Sequence, residues 1–283
     1  MSRNANLKEA RQAKNDEFYT QLSDIERELG NYQKHFYGKV IYLNCDNPEE
    51  SNFWTYFNLN FHHLGLKKLI STHFDPVNET YKLEMYADKT VRTPLKQNGD
   101  FRSAESIEIL QEADIVVTNP PFSLLQDFIA QLFEYGKEFI FIGPLHAVTY
   151  KDTFPLIRDN LLWTGYNSLN KFLTPDGTYK SVLAYWYTNL EHNKRNEEII
   201  LYKTYNDKDY PKYDNGDAIN VDKVKHIPKD YNEMIGVPIS FISKWNPKQF
   251  EIVGLDTDLT HNHNRGYVNG IKKFARLFIR KLN

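Results

Sequence analysis

The stretch Ala113-Asp114-Ile115-Val116-Val117-Thr118-Asn119-Pro120-Pro121-Phe122 decides the fold. Its apolar half predicts a buried strand, which the two prolines end because neither can donate a hydrogen bond to a neighbouring strand. The prolines also stiffen the loop at the carboxyl end of the strand, where open α/β sheets bind their ligands. The pattern therefore predicts a rigid loop that faces a ligand.

The residue types of this loop suit methyl transfer to an exocyclic amine. The Asn119 side chain and the Pro120 carbonyl can accept hydrogen bonds from one amino group, and Phe122 offers a flat surface for a base. Two acceptors localise the amine lone pair, so that alignment and polarisation supply most of the rate. A sulfonium donor such as S-adenosylmethionine then needs no metal, and an adenine in a duplex must be flipped out. A turn without chemistry is the alternative, which the upstream apolar strand disfavours.

Strand and helix patterns alternate along the first two thirds of the chain. Strands are predicted at 40–43, 69–75, 81–86, 90–96, 115–118, 139–144 and 182–187, with helices at 51–64, 106–111 and 123–135. This alternation predicts an α/β fold with a doubly wound, mostly parallel sheet and helices on both faces.

The composition changes near Asn189, after which Tyr, Asn, Asp, Lys and Pro dominate. We therefore predict a catalytic domain over 1–189 and a second region of loops and short strands over 190–283. Its basic and apolar end, 272–281, fits a helix or a strand equally well.

The composition is that of an ordinary globular protein. The 283 residues carry a net charge of −2, with 41% hydrophobic and 25% charged residues. Nucleic-acid contacts must therefore come from local basic patches. Cys45 is the only cysteine, the amino terminus is polar, and apolar runs are too short to span a bilayer. We expect a cytoplasmic protein without membrane contact.

Carboxylates follow the first two predicted strands. Asp46 and Asp75 could accept hydrogen bonds from the methionine or ribose part of a cofactor, although Asp is also common in loops. A glycine-rich loop would ordinarily follow the first strand, and 44–48 (Asn-Cys-Asp-Asn-Pro) stands there instead. Spacing alone does not predict a nucleotide site here.

Two further segments offer cofactor contacts. Asp100 could bond an adenine amino group and Phe101 could stack on its ring, although Gly-Asp often makes a solvent-facing turn. Phe18 and Tyr19 could close over a cofactor and Thr20 could meet its carboxylate, although the same residues could staple the following helix.

The histidines give no metal pattern, because His62-His63 point apart and His261-Asn262-His263 has no nearby cysteine. We therefore predict no metal. Phosphate contacts are predicted for Lys171, Lys180, Arg195, Arg276 and Arg280, with Lys194, Arg265, Lys272 and Lys273 as further candidates. For any single one, a solvated surface charge is the more common interpretation.

Long stretches of the chain resemble the EcoRI-type adenine-specific DNA methyltransferases. The matching segments are 14–26, 44–48, 51–53, 99–103, 113–123, 210–215, 236–241 and 246–250. The resemblance implies a class I, Rossmann-like fold, S-adenosylmethionine as donor, double-stranded DNA as substrate and N6-methyladenine as product. It also implies a role in restriction-modification or in a mobile element. A cognate endonuclease, if there is one, would act separately, and we expect the methyltransferase to act as a monomer.

The resemblance also implies roles for individual residues. Catalysis falls on Asn119, Pro120, Pro121 and Phe122, and target recognition falls mainly after Asn189. Cofactor contacts are implied for Phe18, Tyr19, Thr20, Asn44, Asp46, Asp75, Asp100 and Phe101. A methyltransferase acting on RNA or protein glutamine, and an inactive DNA-binding relative, stay open as alternatives.

Overall fold

Strands that are buried along their whole length form the centre of the first of two units. The structure, a computed structural model, describes residues 20–75, 77–173, 178–261 and 263–282, without the side chains of Leu173 and Tyr179. The described strands of this unit are β1 (Val40–Leu43), β2 (Lys68–Ser71), β3 (Tyr81–Met85), β4 (Thr90–Pro94), β5 (Ile115–Thr118), β6 (Glu138–Pro144), β7 (Trp163–Leu169), β8 (Phe172–Leu173), β9 (Tyr179–Lys180) and β10 (Ala184–Thr188). The described helices are α1 (Leu22–Leu29), α2 (Gln33–Phe36), α3 (Asn52–Leu64), α4 (Ala104–Glu112) and α5 (Leu125–Glu134).

The main sheet has the strand order β4-β3-β2-β1-β5-β6-β10-β7. Strands β2, β1, β5 and β6 are mutually parallel, whereas β3 pairs antiparallel with β2 and β10 pairs antiparallel with β6. Every residue of β1, β2 and β5 is buried, as expected for parallel strands whose two faces are both covered. The predicted α/β class with a mostly parallel sheet is confirmed.

Helix α1 is fixed to the sheet by a buried carboxylate. Glu28 accepts hydrogen bonds from the backbone N–H groups of Tyr166 and Asn167, at 2.7 and 2.8 Å, and from the Tyr32 hydroxyl. Burial raises the pKa of Glu28, and these donors oppose that rise. The contact holds in place the helix that begins two residues after Thr20.

The second unit comprises Leu145–Trp163 and Asn193–Asn283. Its described elements are α6 (Phe154–Arg158), β11 (Ile219–Asn220), β12 (Ile235–Pro238), β13 (Phe250–Leu255), α7 (Asp256–Leu259), β14 (Tyr267–Val268), β15 (Ile271–Lys272) and β16 (Arg276–Lys281). A sheet of order β11-β12-β16-β13 and the hairpin β14–β15 organise it. Within the basic carboxyl end, Arg276–Lys281 is therefore a strand, and Leu145–Trp163 groups with this unit.

No helix in the described part of the chain combines the length and the hydrophobicity that crossing a bilayer requires.

Candidate functional site

A pocket opens at the carboxyl ends of the parallel strands of the first unit. Its lining comes from 44–47 and 50–53 after β1, 73–74 after β2, 99–102 before α4, and from Thr20. The loop after β5 adds Asn119, Pro121, Ser123 and Leu124. Loops that are distant in sequence meet here because parallel strands deliver their carboxyl ends to one side of the sheet.

Asn44 is the clearest sign that the pocket is built for a polar ligand. Its side chain is 1% exposed, and neither its Oδ1 nor its Nδ2 has a hydrogen-bond partner among the described residues. The buried Oγ1 of Thr20 also has no hydrogen-bond partner among the described residues. Leaving a buried polar group without a partner costs about 1–3 kcal/mol, so such groups commonly await a ligand or water.

Asp46 links the helix start at Ser51 to the Asn-Pro-Pro-Phe loop. Its carboxylate accepts hydrogen bonds from the Ser51 hydroxyl at 2.8 Å, from the Thr118 hydroxyl and from the backbone N–H of Asn119. Burial raises its pKa to about 6, and these three donors limit the rise. The side chain is thus both a wall of the pocket and a brace for the residue that begins Asn-Pro-Pro-Phe.

Ser51 begins helix α3 at the pocket wall. Its Oγ accepts a hydrogen bond from the Phe53 N–H at 3.0 Å, an N-cap contact worth about 1 kcal/mol. The neighbouring Asn52 donates from Nδ2 to the Thr20 carbonyl at 2.8 Å. The helix start therefore positions both Asp46 and Thr20.

The loop 119–122 (Asn-Pro-Pro-Phe) keeps the shape that its prolines predict. Strand β5 ends at Thr118, and a 3₁₀ turn over Phe122–Leu124 leads into α5. Asn119 and Pro121 face the pocket, whereas Pro120 is buried. The Phe122 ring is half-buried and meets the Phe172 ring edge-to-face, with centroids 6.3 Å apart.

Gly99 allows the 99–102 loop to approach the loop after β2. It has φ +73°, and a Cβ there would lie 1.9 Å from the His73 carbonyl oxygen, so only glycine fits. The adjacent Asp100 carboxylate accepts from Nε of Arg102 at 3.0 Å and from Nη2 at 2.7 Å. Phe101 lines the pocket but packs mainly against Phe128, at 5.5 Å between ring centroids.

The structure does not bring Asp75 to this pocket. Among the described residues it is outside the lining, and its carboxylate accepts from the Val77 and Asn78 N–H groups at 2.9 and 3.0 Å. Strand β2 ends at Ser71, before the predicted 75, so Asp75 caps a local turn instead. Phe18 and Tyr19 lie outside the described residues.

Among the predicted phosphate contacts, the three arginines have side-chain partners in the described part of the chain. Arg276 is 7% exposed and donates to Asp222 at 2.8 Å, and Arg280 pairs with Glu251 at 3.4 Å. The Arg195 guanidinium stacks on Trp163, 3.4 Å from the ring centroid. Arg276 and Arg195 therefore have structural contacts that the sequence pattern did not predict, and their phosphate contacts stay a prediction.

Lys171 and Lys180 are exposed beside and within the hairpin β8–β9, whose Phe172 supports Phe122. Their phosphate contacts stay a prediction.

Several residues that line the pocket were not assigned a role from the sequence. Ser51, Asn52, His73 and Arg102 all line the pocket. Ser51 was recognisable as a cap before an aromatic helical stretch. His73 and Arg102 carry no comparable signal, because a tertiary approach of loops places them.

In the described ranges, no group of three or more His, Cys, Asp or Glu side chains is placed to hold a metal ion.

Comparison with known proteins gives a consistent result. The family model described as adenine-specific methyltransferase EcoRI matches residues 6–277. The chain is 40% identical to the Type II methyltransferase M.EcoRI of Escherichia coli, over 98% of this chain and 99% of that protein. It is 41% identical to M.MgeORF184P of Mycoplasma genitalium and 38% identical to M.MpnI of Mycoplasma pneumoniae, each over 96% of this chain and 97% of the relative.

No solved structure matches. The family match and these identities cover nearly the whole chain, including the pocket and the Asn-Pro-Pro-Phe loop. The chain belongs to the EcoRI family of adenine-specific methyltransferases.

Proposed function

We propose that this methyltransferase moves a methyl group from S-adenosylmethionine to the N6 amine of an adenine flipped out of double-stranded DNA. One observation carries the proposal: Asn119 after β5 and Asn44 after β1 line the same pocket, and the Asn44 carboxamide has no partner among the described residues, so cofactor and acceptor meet at the carboxyl ends of two adjacent strands. Membership of the adenine-specific family supports the choice of acceptor.

The cofactor side of the site is assigned to residues that line the pocket. Asn44 and Thr20 have buried polar atoms that suit the amino acid part of the cofactor, and Asp100 suits its adenine amino group. Arg102 orients the Asp100 carboxylate through two hydrogen bonds. When bound, S-adenosylmethionine supplies an electrophilic methyl group on a sulfonium.

The acceptor side is assigned to the catalytic loop. The Asn119 carboxamide oxygen and the Pro120 carbonyl accept the two N–H groups of the adenine amine, which localises its lone pair. Pro121 and Phe122 contact the flipped base, and Phe172 supports the Phe122 ring. Fixed alignment supplies most of the rate, and the proton leaves the amine after transfer, so that no strong base is required.

Asp46 acts as a positioning residue between the two sides. Its ionised carboxylate holds Thr118 and the Asn119 N–H, while Ser51 ties it to helix α3. Shifts of about 1 Å at a reacting group can cost on the order of 100-fold in rate. Asp46 therefore affects turnover more than cofactor affinity.

The second unit is assigned to target recognition. Its short strands and loops occupy most of the chain after residue 193. The target-recognition region was predicted from the sequence over nearly the same residues, 190–283. Protection against a cognate endonuclease that acts separately fits the Type II names of the relatives. Monomeric action in the cytoplasm stays a prediction.

The reaction is tested by incorporation of labelled methyl groups. Purified protein is incubated with methyl-labelled S-adenosylmethionine and, in turn, duplex DNA, RNA and total protein from a host without methylation. We expect label in DNA alone, recovered as N6-methyladenine. Label confined to RNA or protein would refute the proposed substrate, and cofactor binding without transfer to any acceptor would indicate an inactive relative.

A further inference from the structure

The hairpin β14–β15 in the second unit has a rigid tip. Its central residues Asn269 and Gly270 have φ of 52° and 74°, as a two-residue turn of type I′ requires. The Asp214 carboxylate accepts hydrogen bonds from both of their N–H groups, at 3.1 and 2.7 Å. The turn is thus fixed from outside the hairpin.

The strands of the hairpin are anchored as well. The Tyr267 N–H donates to Asn215 Oδ1 at 2.9 Å, and the Tyr267 carbonyl accepts from the Asp214 N–H at 2.8 Å. The Lys273 N–H donates to the Gly266 carbonyl at 2.8 Å. An isolated two-stranded hairpin is marginal in water, so these anchors keep the segment 266–274 in one conformation.

This fixed segment, the recognition hairpin, exposes large apolar side chains. Ile271 is 67% exposed and Phe274 is 89% exposed, whereas Val268 on the same hairpin is buried. Folding gains nothing from holding a phenylalanine in water. Rigidly displayed apolar side chains are typical of surfaces that bind a partner.

The charge around the recognition hairpin selects the class of partner. From residue 265 to the end, the sequence contains six basic residues and no Asp or Glu, although the whole chain has a net charge of −2. Lys272, next to Ile271, is exposed. Four of the six are paired with acidic side chains: Arg265 with Asp256, Lys273 and Arg276 with Asp222, and Arg280 with Glu251. An exposed lysine beside exposed apolar groups fits a polyanion that also offers apolar contacts, as the base edges of DNA do.

We propose that the recognition hairpin enters a groove of duplex DNA, with Ile271 and Phe274 against base edges and Lys272 on a phosphate. The inference rests on the proposed function, which supplies duplex DNA as the substrate. A two-stranded ribbon fits the major groove, where an apolar side chain can contact a thymine methyl group. Apolar side chains can also wedge between base steps and kink the duplex.

The test measures binding of a short fluorescent duplex that carries the motif methylated by the wild-type protein. Ile271→Ala and Phe274→Ala are compared with Ile200→Ala, because Ile200 is 83% exposed elsewhere in the same unit. We expect at least about tenfold weaker binding for Phe274→Ala and a smaller loss for Ile271→Ala. The control should bind like the wild type.

Lys272→Ala should lower the slope of log affinity against log salt by about one. Lys208→Ala, which removes another exposed lysine of the same unit, should leave the slope unchanged.

The outcomes separate the two proposals. A wild type that methylates adenine while Phe274→Ala and Ile271→Ala bind the duplex normally would overturn the recognition hairpin alone. Equal losses in Ile200→Ala would also overturn it, because exposed apolar area in general would then be responsible. A wild type that neither methylates nor binds duplex DNA would overturn both proposals. Loss of a dimer in sedimentation, with unchanged DNA affinity, would instead make the hairpin an interface between copies.

Discussion

The pocket of the first unit and the recognition hairpin of the second depart from ordinary burial in opposite directions. The pocket buries the Asn44 carboxamide without a hydrogen-bond partner in the described chain, whereas the hairpin holds Phe274 almost fully in water. Folding alone favours neither arrangement, because buried polar groups need partners and apolar groups favour burial. Both are explained if each side chain meets its partner only when the enzyme is loaded with cofactor or DNA.

Arg276 is a buried polar side chain of a different kind. Its Nη2 donates to Asp222 at 2.8 Å, although its Nε has no partner among the described residues. The Asn44 carboxamide differs because it lines the pocket, so that a ligand can reach its unpartnered atoms.

The largest expected effect concerns the point where cofactor and base meet. Asn119→Ala removes one of the two acceptors of the adenine amine, so kcat should fall by about 100- to 1000-fold or more. The affinity for duplex DNA should stay within a few-fold of the wild type. Single-turnover methylation and fluorescence anisotropy measure the two quantities. Near-normal turnover would remove Asn119 from the catalytic assignment.

The comparison is sharpened by making Asn44 apolar. Asn44→Leu has similar size and removes the unpartnered carboxamide, so the protein without cofactor should become more stable by about 1–3 kcal/mol. Its affinity for S-adenosylmethionine should fall by about tenfold or more. Thermal unfolding with and without cofactor measures both.

A loss of stability in Asn44→Leu without cofactor would contradict this account, because it would show that Asn44 already has a protein partner. Thr153→Val is the control for cofactor affinity, because it also removes a buried hydroxyl without a partner in the described chain, but one that lies outside the pocket.

Asp46 should make the pH profile of kcat fall at acidic pH, and this fall is the acidic limb of the profile. With a pKa raised to about 6, its carboxylate is ionised above that pH and becomes protonated below it. Protonation removes an acceptor from Ser51, Thr118 and Asn119, so kcat should decline as the pH falls through about 6. The folded state binds this proton more tightly than the unfolded chain, so the stability contribution of Asp46 itself should fall as pH rises from about 4 to 6.

The pH profile of Asp46→Asn tests this assignment. Asn cannot be protonated in this range, so the variant should be slower and should lose the limb. His73 also lines the pocket and histidines titrate in the same range, so His73→Gln is the control and should keep the limb. A limb that disappears only in His73→Gln would transfer the effect to the histidine.

The smallest effect is expected for a satisfied, exposed pair. Arg280 and Glu251 are about half exposed, and Arg280→Ala should change the free energy of unfolding by less than about 1 kcal/mol. Affinity for duplex DNA should change little in this variant compared with Phe274→Ala. Chemical denaturation and anisotropy provide the check. A large loss of affinity would restore Arg280 as a phosphate contact.

Local patterns were sufficient to predict most strands of the main sheet, although not β7, and the shape of the Asn-Pro-Pro-Phe loop. Strand β5 and its two prolines lie where periodicity and proline chemistry place them, and β1 has the predicted bounds. The pocket was predictable only in part. The position of Asp46 in the pocket was predictable because this residue follows the end of β1. The prediction for Asp75 assumed that β2 reaches residue 75, whereas the strand ends at Ser71.

The remaining misses are tertiary. His73 reaches the pocket because Gly99 permits two loops to touch, and Arg276 is buried because β16 lies between β12 and β13. Contacts of this kind, between residues far apart in the sequence, cannot be predicted from residue spacing or residue type.

The most direct test of the central claim is methylation-aware long-read sequencing of DNA from a methylation-deficient host that expresses this chain. An Asn119→Ala variant, expressed at the same level, serves as the matched control. We predict N6-methyladenine at one short motif with the wild type and none with the variant. Unmodified adenine with a soluble wild type that binds S-adenosylmethionine, or equal modification by both proteins, would contradict the account.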